Sequence, residues 1–314
     1  MNIMFGRCVG IEWCGALRIL CVSILSIGPT SLFAYEFSSR MDAAQWQLDP
    51  SPLECRLWQH VPQYGEVVFS AQSGRELTFY LESDRPSLKK GKAAIKVTAP
   101  SWRQGIRDKT IAVVPLKKGS RPVELNEKWA NWFLDELYGG MNPSIVLGAW
   151  HNHENAQVDL SSVNFQEAYS AYLSCVTALF PANYDQLKTT MLRYTTNGWR
   201  VQGKLKDKLD LLIQYINLDP EIEHVYIDGH TDFVGRRGHN WELSRLRSNA
   251  VSKYFEHNGV DPEMITMRYH GESRPMTRSR NRAGKAKNRR VYIQLYKPKV
   301  WNIRAKKENQ PEAR

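Results

Sequence analysis

The stretch Asp228-Gly229-His230-Thr231-Asp232-Phe233-Val234-Gly235, followed by Asn240-Trp241-Glu242-Leu243-Ser244-Arg245-Leu246-Arg247, decides how the chain is read. Before it, Val225, Tyr226 and Ile227 form a short apolar strand pattern. After it, Leu243, Leu246, Ala250, Val251, Tyr254 and Phe255 recur at helical spacing. The segment is therefore a strand, a glycine-containing loop and a helix start. Asn240 is the expected N-cap, and Asn258-Gly259 the expected stop before a turn at Asp261-Pro262. Asp232 then sits at the strand exit, while Arg247 lies two turns into the helix on the face shared by Asn240 and Leu243. A carboxylate and a guanidinium are offered to one ligand beside the N–H groups of a helix N-terminus, which suits a zwitterion. Charge spacing alone favours a mere surface ion pair, worth roughly a few tenths of a kcal/mol.

The fuller pattern is Gly229-His230-Thr231-Asp232, Gly235, Asn240, Leu243-Ser244, Arg247 and the later Asn288-Arg289-Arg290. It closely resembles the signature of the OmpA-like peptidoglycan-binding domain. The resemblance implies that Asp232 and Arg247 grip the diaminopimelate of the peptidoglycan stem peptide. Thr231, Asn240, Leu243, Asn288 and Arg289 complete the candidate site. Ser248 departs from the pattern, which usually has Ala after the Arg; both are small, so the implied fold is unaffected.

Moving outward, 314 residues predict about two domains, and 42% hydrophobic with 24% charged residues is an ordinary globular composition. Residues 1–34 differ. Arg7 and Arg18 precede an apolar run over 19–27, and Leu32-Phe33-Ala34 places a small residue before Tyr35, the pattern of a secretory signal peptide. The run is shorter than the ~20 apolar residues of a spanning helix, and no later segment qualifies. A lipoprotein signal at Cys21 is disfavoured by the bulky Leu20. Export would discard Cys8, Cys14 and Cys21 and leave Cys55 and Cys175. Two cysteines in an oxidising compartment suggest one disulfide, the alternative being two buried thiols.

Charge is unevenly placed. Residues 236–314 hold 20 Lys/Arg against 7 Asp/Glu, hence +13 of the whole-chain +11, so the preceding residues carry −2. The run Arg274, Arg278, Arg280, Arg282, Lys285, Lys287, Arg289, Arg290 invites a nucleic-acid reading. Export and the lack of interleaved aromatics argue against it, and an anionic envelope polymer accounts for the same charges.

From 37 to about 181 the pattern is β-rich with two helices. Strands are expected at 54–58, 67–71, 76–81, 93–98, 110–115 and 144–150, with a hairpin turn at Gln72-Ser73-Gly74-Arg75. One helix should run over 127–138 and stop at Gly139-Gly140. Another should start after Asn164, with Glu167 giving a capping-box-like start, run to Phe180 and carry Cys175. Trp46, Trp58, Trp102, Trp129, Trp132 and Trp150 read mostly as core. His151-Asn152-His153-Glu154 imitates a metal site but lacks a third partner at a recognisable spacing, so no metal and no other cofactor is expected.

Trp46-Gln47, Pro52-Leu53-Glu54-Cys55-Arg56-Leu57, the run 62–69 and Cys175 ahead of the OmpA-like pattern resemble the MotY family of polar flagellar motors. The placement of both cysteines agrees. The resemblance implies a periplasmic T ring component whose β-rich domain associates with the flagellar basal body and a MotX-like partner. Its second domain would hold peptidoglycan and give the stator an anchor. A generic periplasmic tether for some other envelope complex is the alternative.

Residues 182–187 read as a short polar link. Then come a strand over 189–195, a helix over about 201–217, the central strand and helix, a strand over 265–269, the basic loop and a strand over 291–295. The fold class expected is α+β: a β-rich N-terminal domain with two helices, then an OmpA-like α/β sandwich with helices on one sheet face. The expected division is 1–34 signal peptide, 35–184 motor-associating domain, 185–296 peptidoglycan-binding domain and 297–314 disordered tail. Catalysis is not expected: no Gly-x-Ser-x-Gly elbow surrounds Ser244 to make a triad with His230 and Asp232, and nothing brings Asp228 and Glu242 together.

Overall fold

The computed structural model describes residues 35–87, 89–99, 109–148 and 155–298. Residues 1–34, read as a signal peptide, Trp102, Trp150, residues 151–154 and the tail beyond 298 lie outside the described residues. In chain order the elements are β1 (Tyr35–Phe37), β2 (Trp46–Pro50), β3 (Glu54–Val61), β4 (Gly65–Gln72), β5 (Thr78–Ser83), β6 (Gly91–Thr98), β7 (Lys109–Leu116), β8 (Glu124–Leu125) and α1 (Glu127–Tyr138). Next are β9 (Asn142–Leu147), β10 (Ala156–Asp159), α2 (Phe165–Thr177), α3 (Tyr184–Leu187), β11 (Thr189–Arg193) and α4 (Lys204–Leu218). The chain then forms β12 (His224–His230), α5 (Arg237–His257), β13 (Ile265–Tyr269), α6 (Arg282–Asn288) and β14 (Arg290–Tyr296).

The first part is two five-stranded sheets, ordered β1-β10-β9-β6-β7 and β2-β3-β4-β5-β8, sharing one core with α1 and α2. In β3, Cys55, Leu57 and Val61 are buried while Glu54, Arg56 and Trp58 are only half-buried, the two-residue period of a strand with one face inward. α1 packs on β5 and β9, and its Phe133 stacks on Phe79, 4.6 Å between ring centres. Burying each such ring contributes about 1.5–3 kcal/mol relative to leaving it exposed. α2 packs on β2 and β3, and Cys175 bonds Cys55, with Cα atoms 6.0 Å apart. The staple joins α2 to the third strand, because β1 and β2 precede the first strand expected from the pattern.

Several local expectations need correction. Asn164 occupies the N-cap position of α2 as expected, but at φ 59° its side chain makes no capping bond, and its amide donates to Ala44 O instead. β2, missed in the pattern, ends on Pro50 at a sheet edge, where a residue without N–H is tolerated. The polar link contains α3, opened by a capping box between Asn183 and Gln186. Asn183 Nδ2 also donates to Gly74 O at 2.8 Å, Arg75 pairs with Asp185 at 2.7 Å, and Leu53 packs against the second core. Gly74 sits at φ +59°, and a Cβ there would stand 2.9 Å from Asn183 N, so the hairpin turn can meet the link only as glycine.

The second part is a four-stranded sheet ordered β11-β14-β12-β13. β12 and β13 are parallel, which requires a crossover, and α5 supplies it while packing on both. Val225, Ile227, Val291, Ile293, Val251 and Phe255 join this core, whose sheet carries its helices on one face. The basic run is not all loop. Asn281 accepts from Gly284 N and opens α6, whose only buried residues are Gly284 and Asn288, so it has no apolar stripe to reveal it. No helix among the described residues is long and apolar enough to cross a membrane.

Candidate functional site

The site begins where β12 ends. Thr231 N donates to Gly271 O at 2.8 Å, tying the loops that follow the two parallel strands. Asp232, buried one residue later, accepts from Val234 N through Oδ1 at 3.2 Å, an aspartate-type turn that aims the carboxylate. Its Oδ2 accepts from Arg289 Nη1 at 2.9 Å. Arg289 follows α6 and also donates from Nε to Tyr194 O.

Arg247 is the largest wholly buried side chain among the described residues, at 0% exposure. Nε donates to Gly198 O at 2.8 Å, Nη1 to His230 O at 2.8 Å and Nη2 to Thr195 O at 3.3 Å, and the guanidinium carbon lies 5.1 Å from the Tyr194 ring centre. Burial pulls its pKa down to about 10, opposed by Tyr194 and Asp232, so it stays charged at neutral pH. The guanidinium read as freely offered to a ligand is thus largely spent on main-chain carbonyls. The 194–198 loop that it grips is the same loop that Arg289 holds. Asp232, Arg289, Arg247 and the Tyr194, Thr195 and Gly198 carbonyls form one network.

Helix α5 reaches this network because it lies close on β12. A Cβ on Gly229 would stand 2.3 Å from Ser244 O and 2.4 Å from Ser248 Oγ, so the strand must carry glycine and the helix small residues there. Ser248 Oγ has room to approach Arg268 O at 3.4 Å.

Other candidates are builders of the loops. Asn240 is not the N-cap: α5 starts three residues earlier, after Arg236, without any side-chain cap, and the buried Asn240 amide donates to Glu272 instead. Leu243 is core-facing. Asn288 is wholly buried; its Oδ1 accepts from Met276 N and Thr277 N and its Nδ2 donates to Thr277 O, a clamp on the 276–277 turn. Thr231 is buried at the site with a hydroxyl that finds no partner.

Pattern reading missed a second cluster on the helix-free sheet face. Asp228 accepts a bidentate pair from Arg268 at 2.6 and 2.7 Å and meets His270 Nε2 at 2.9 Å, while His230 stacks on His270 at 4.8 Å. Burial would raise the Asp228 pKa, but Arg268 and His270 bring it below its usual value. His230 is pushed down to about 3 by burial, then by Arg290 and His270, against the opposing pull of Asp228. The signal was the alternation Tyr226, Asp228, His230 opposite Val225, Ile227, Gly229.

The groups weighed for catalysis have other occupations. Ser244 Oγ donates to Trp241 O and accepts from Gly271 N, Glu242 holds Arg245, and Asp228 holds Arg268. No group of three His, Cys, Asp or Glu that could hold a metal occurs among the described residues.

Residues 37–181 match the MotY N-terminal domain, and residues 193–289 match the OmpA family. The chain carries a MotY N-terminal domain followed by an OmpA-family domain. It is 27% identical over 284 residues to the sodium-type flagellar protein MotY of Vibrio parahaemolyticus, spanning 89% of this chain and 96% of that one. The OmpA-family domain is 37% identical over 89 residues to outer membrane porin F of Pseudomonas fluorescens, which covers 28% of this chain and 26% of the porin. Among solved structures, the C-terminal domain of Helicobacter pylori MotB superposes with a TM-score of 0.34 at 19% identity, covering 39% of this chain and 98% of that one. The Asp232–Arg289–Arg247 network lies wholly within the stretch that matches OmpA.

Proposed function

We propose that this protein is a non-enzymatic periplasmic component of the flagellar motor, which associates with the basal body and anchors the stator assembly to peptidoglycan. The observation that carries this reading is similarity to a flagellar MotY across both domains, not across the OmpA-family half alone. In the OmpA-family domain, Asp232 accepts from the ammonium of a diaminopimelate side chain. That ammonium competes with Arg289 for the carboxylate, and an Arg289 displaced from Asp232 keeps its bond to Tyr194 O. Arg247, itself wholly buried, holds the 194–198 loop and sets its positive charge beneath the ligand carboxylate. The N-terminal domain, with Tyr138 of α1 and Leu173 of α2 exposed, suits a protein partner of the MotX kind within a T ring.

The test is a deletion strain complemented with the full chain or with its Asp232→Ala variant, followed for polar localisation and swimming. Both proteins should reach the basal body, and only the first should restore full motility. A deletion strain that swims normally overturns the flagellar reading and leaves a tether for another envelope complex. Sacculi incubated with the purified chain should co-sediment it without releasing soluble fragments; released fragments would make it an enzyme.

A further inference from the structure

The loop that Arg247 and Arg289 grip has an outer side. Between β11 and α4 it walls a pocket of about 470 Å³ lined by Arg193, Tyr194, Asn197, Trp199, Arg200 and Gln202. That volume falls in the range of small-molecule sites. Three features set it apart from a chance surface dent. Trp199 lines the pocket at 38% exposure and stands beside Arg200, whose guanidinium carbon is 5.4 Å from its ring centre. Tyr194, 5% exposed and 5.1 Å from the Arg247 guanidinium carbon, gives the pocket a fixed apolar wall. Finally, the main chain of this wall is the main chain of the Asp232 network, since the carbonyls of Tyr194, Thr195 and Gly198 are the acceptors of Arg289 and Arg247.

We propose that this pocket takes a pyranose of the glycan strand, with Trp199 as its stacking face; the proposal rests on the reading that the Asp232 site takes the attached stem peptide. A pyranose has an apolar C–H face and a polar rim, and the pocket offers both complements. The indole covers the first. Asn197 and Gln202 supply amides that both donate and accept, and Arg193 and Arg200 donate to the carbonyl of an N-acetyl group or the oxygen of a carboxylate. A bare anion would use the arginines and leave the indole and both amides without a role. A shared loop also lets the two subsites support one another, because a ligand that orders residues 194–200 presents the carbonyls on which Arg247 depends.

Calorimetry on the full mature chain tests this with two probes, a disaccharide–tripeptide fragment of peptidoglycan and the same diaminopimelate-containing tripeptide without sugar. Trp199→Ala should weaken binding of the first about tenfold and leave the second unchanged, as expected for loss of one aromatic stacking contact. Trp199→Phe should recover most of the loss, and Asp232→Ala should weaken both probes. If Trp199→Ala affects both probes equally, or neither, the sugar pocket is overturned while the Asp232 reading stands. If Trp199→Ala behaves as stated but Asp232→Ala changes nothing, the stem-peptide reading falls and the sugar pocket stands. A wild-type chain that binds neither probe overturns both.

Discussion

Asp232 and Arg247 do not bond to each other: Asp232 is paired with Arg289 at 2.9 Å, and Arg247 donates to the carbonyls of His230, Thr195 and Gly198. The two residues are joined through the 194–198 loop and through their electrostatic field. Their replacement should therefore have different consequences.

Asp232→Ala should be chiefly a binding lesion. It removes the acceptor for a ligand ammonium and leaves Arg289 with its bond to Tyr194 O. Sacculus binding should weaken by about 1.5–3 kcal/mol, the range for hydrogen bonds to charged groups. Co-sedimentation isotherms check this. Binding should also fall for muropeptides with lysine in place of diaminopimelate, which lack the carboxylate.

Arg247→Ala should be a folding lesion first. Three carbonyls lose their donor, that of His230 buried and those of Gly198 and Thr195 partly buried, and a buried acceptor left bare costs about 1–3 kcal/mol. The melting temperature of the OmpA-family domain should fall by on the order of 10 °C. Arg247→Lys keeps the charge but cannot reach three carbonyls with a planar fork, so it should recover only part of the stability. Differential scanning calorimetry that finds Arg247→Ala as stable as wild type would refute the structural role.

The Cys55–Cys175 bond closes a loop with a sequence separation of 120. In the chain-entropy model such a crosslink stabilises by about 4–5 kcal/mol. Protein from the periplasm should gain two hydrogens on reduction, measured by intact mass, and the Cys55→Ser/Cys175→Ser pair should unfold at clearly lower denaturant. The lost stability should appear in the MotY N-terminal domain, since both cysteines belong to its core.

Acid should loosen the β12–β13–β14 face. His230 has a folded pKa of about 3 against an ordinary value of 6.5, so between those values the unfolded chain binds a proton that the folded chain refuses. Stability therefore rises with pH through that window and is lost as pH falls. The slope is at most about 1.4 kcal/mol per pH unit for one proton. Asp228, held below its usual pKa, adds loss in the same direction at lower pH. His230→Gln should flatten the dependence between pH 4 and 6 in urea titrations at about one-unit intervals; an unchanged slope would show that another group carries it.

Much of this protein was legible from residue order, because its signals are local. α1 spans 127–138 and β13 spans 265–269, both as the apolar spacing and the Gly139-Gly140 stop indicate. Gly229 and the small residues at 244 and 248 announce a close strand–helix approach, since only a missing Cβ lets α5 lie on β12. What spacing could not reveal depended on partners far along the chain. The start of α5 at Arg237 has no capping side chain to mark it, and Asn240, which has the right chemistry for a cap, is taken up by Glu272. α6 lacks an apolar stripe and is held by the Asn281 cap and by Asn288 turned inward. The pairing of Asp232 with Arg289 rather than Arg247 was decided in three dimensions as well. Arg247's acceptors are carbonyls of a loop some fifty positions earlier, with separations of 49 and 52 residues for Gly198 and Thr195. A main-chain carbonyl is the same at every residue, so no side-chain pattern can encode which ones a buried guanidinium will find; only the packing of β11, β12 and α5 places them within its reach.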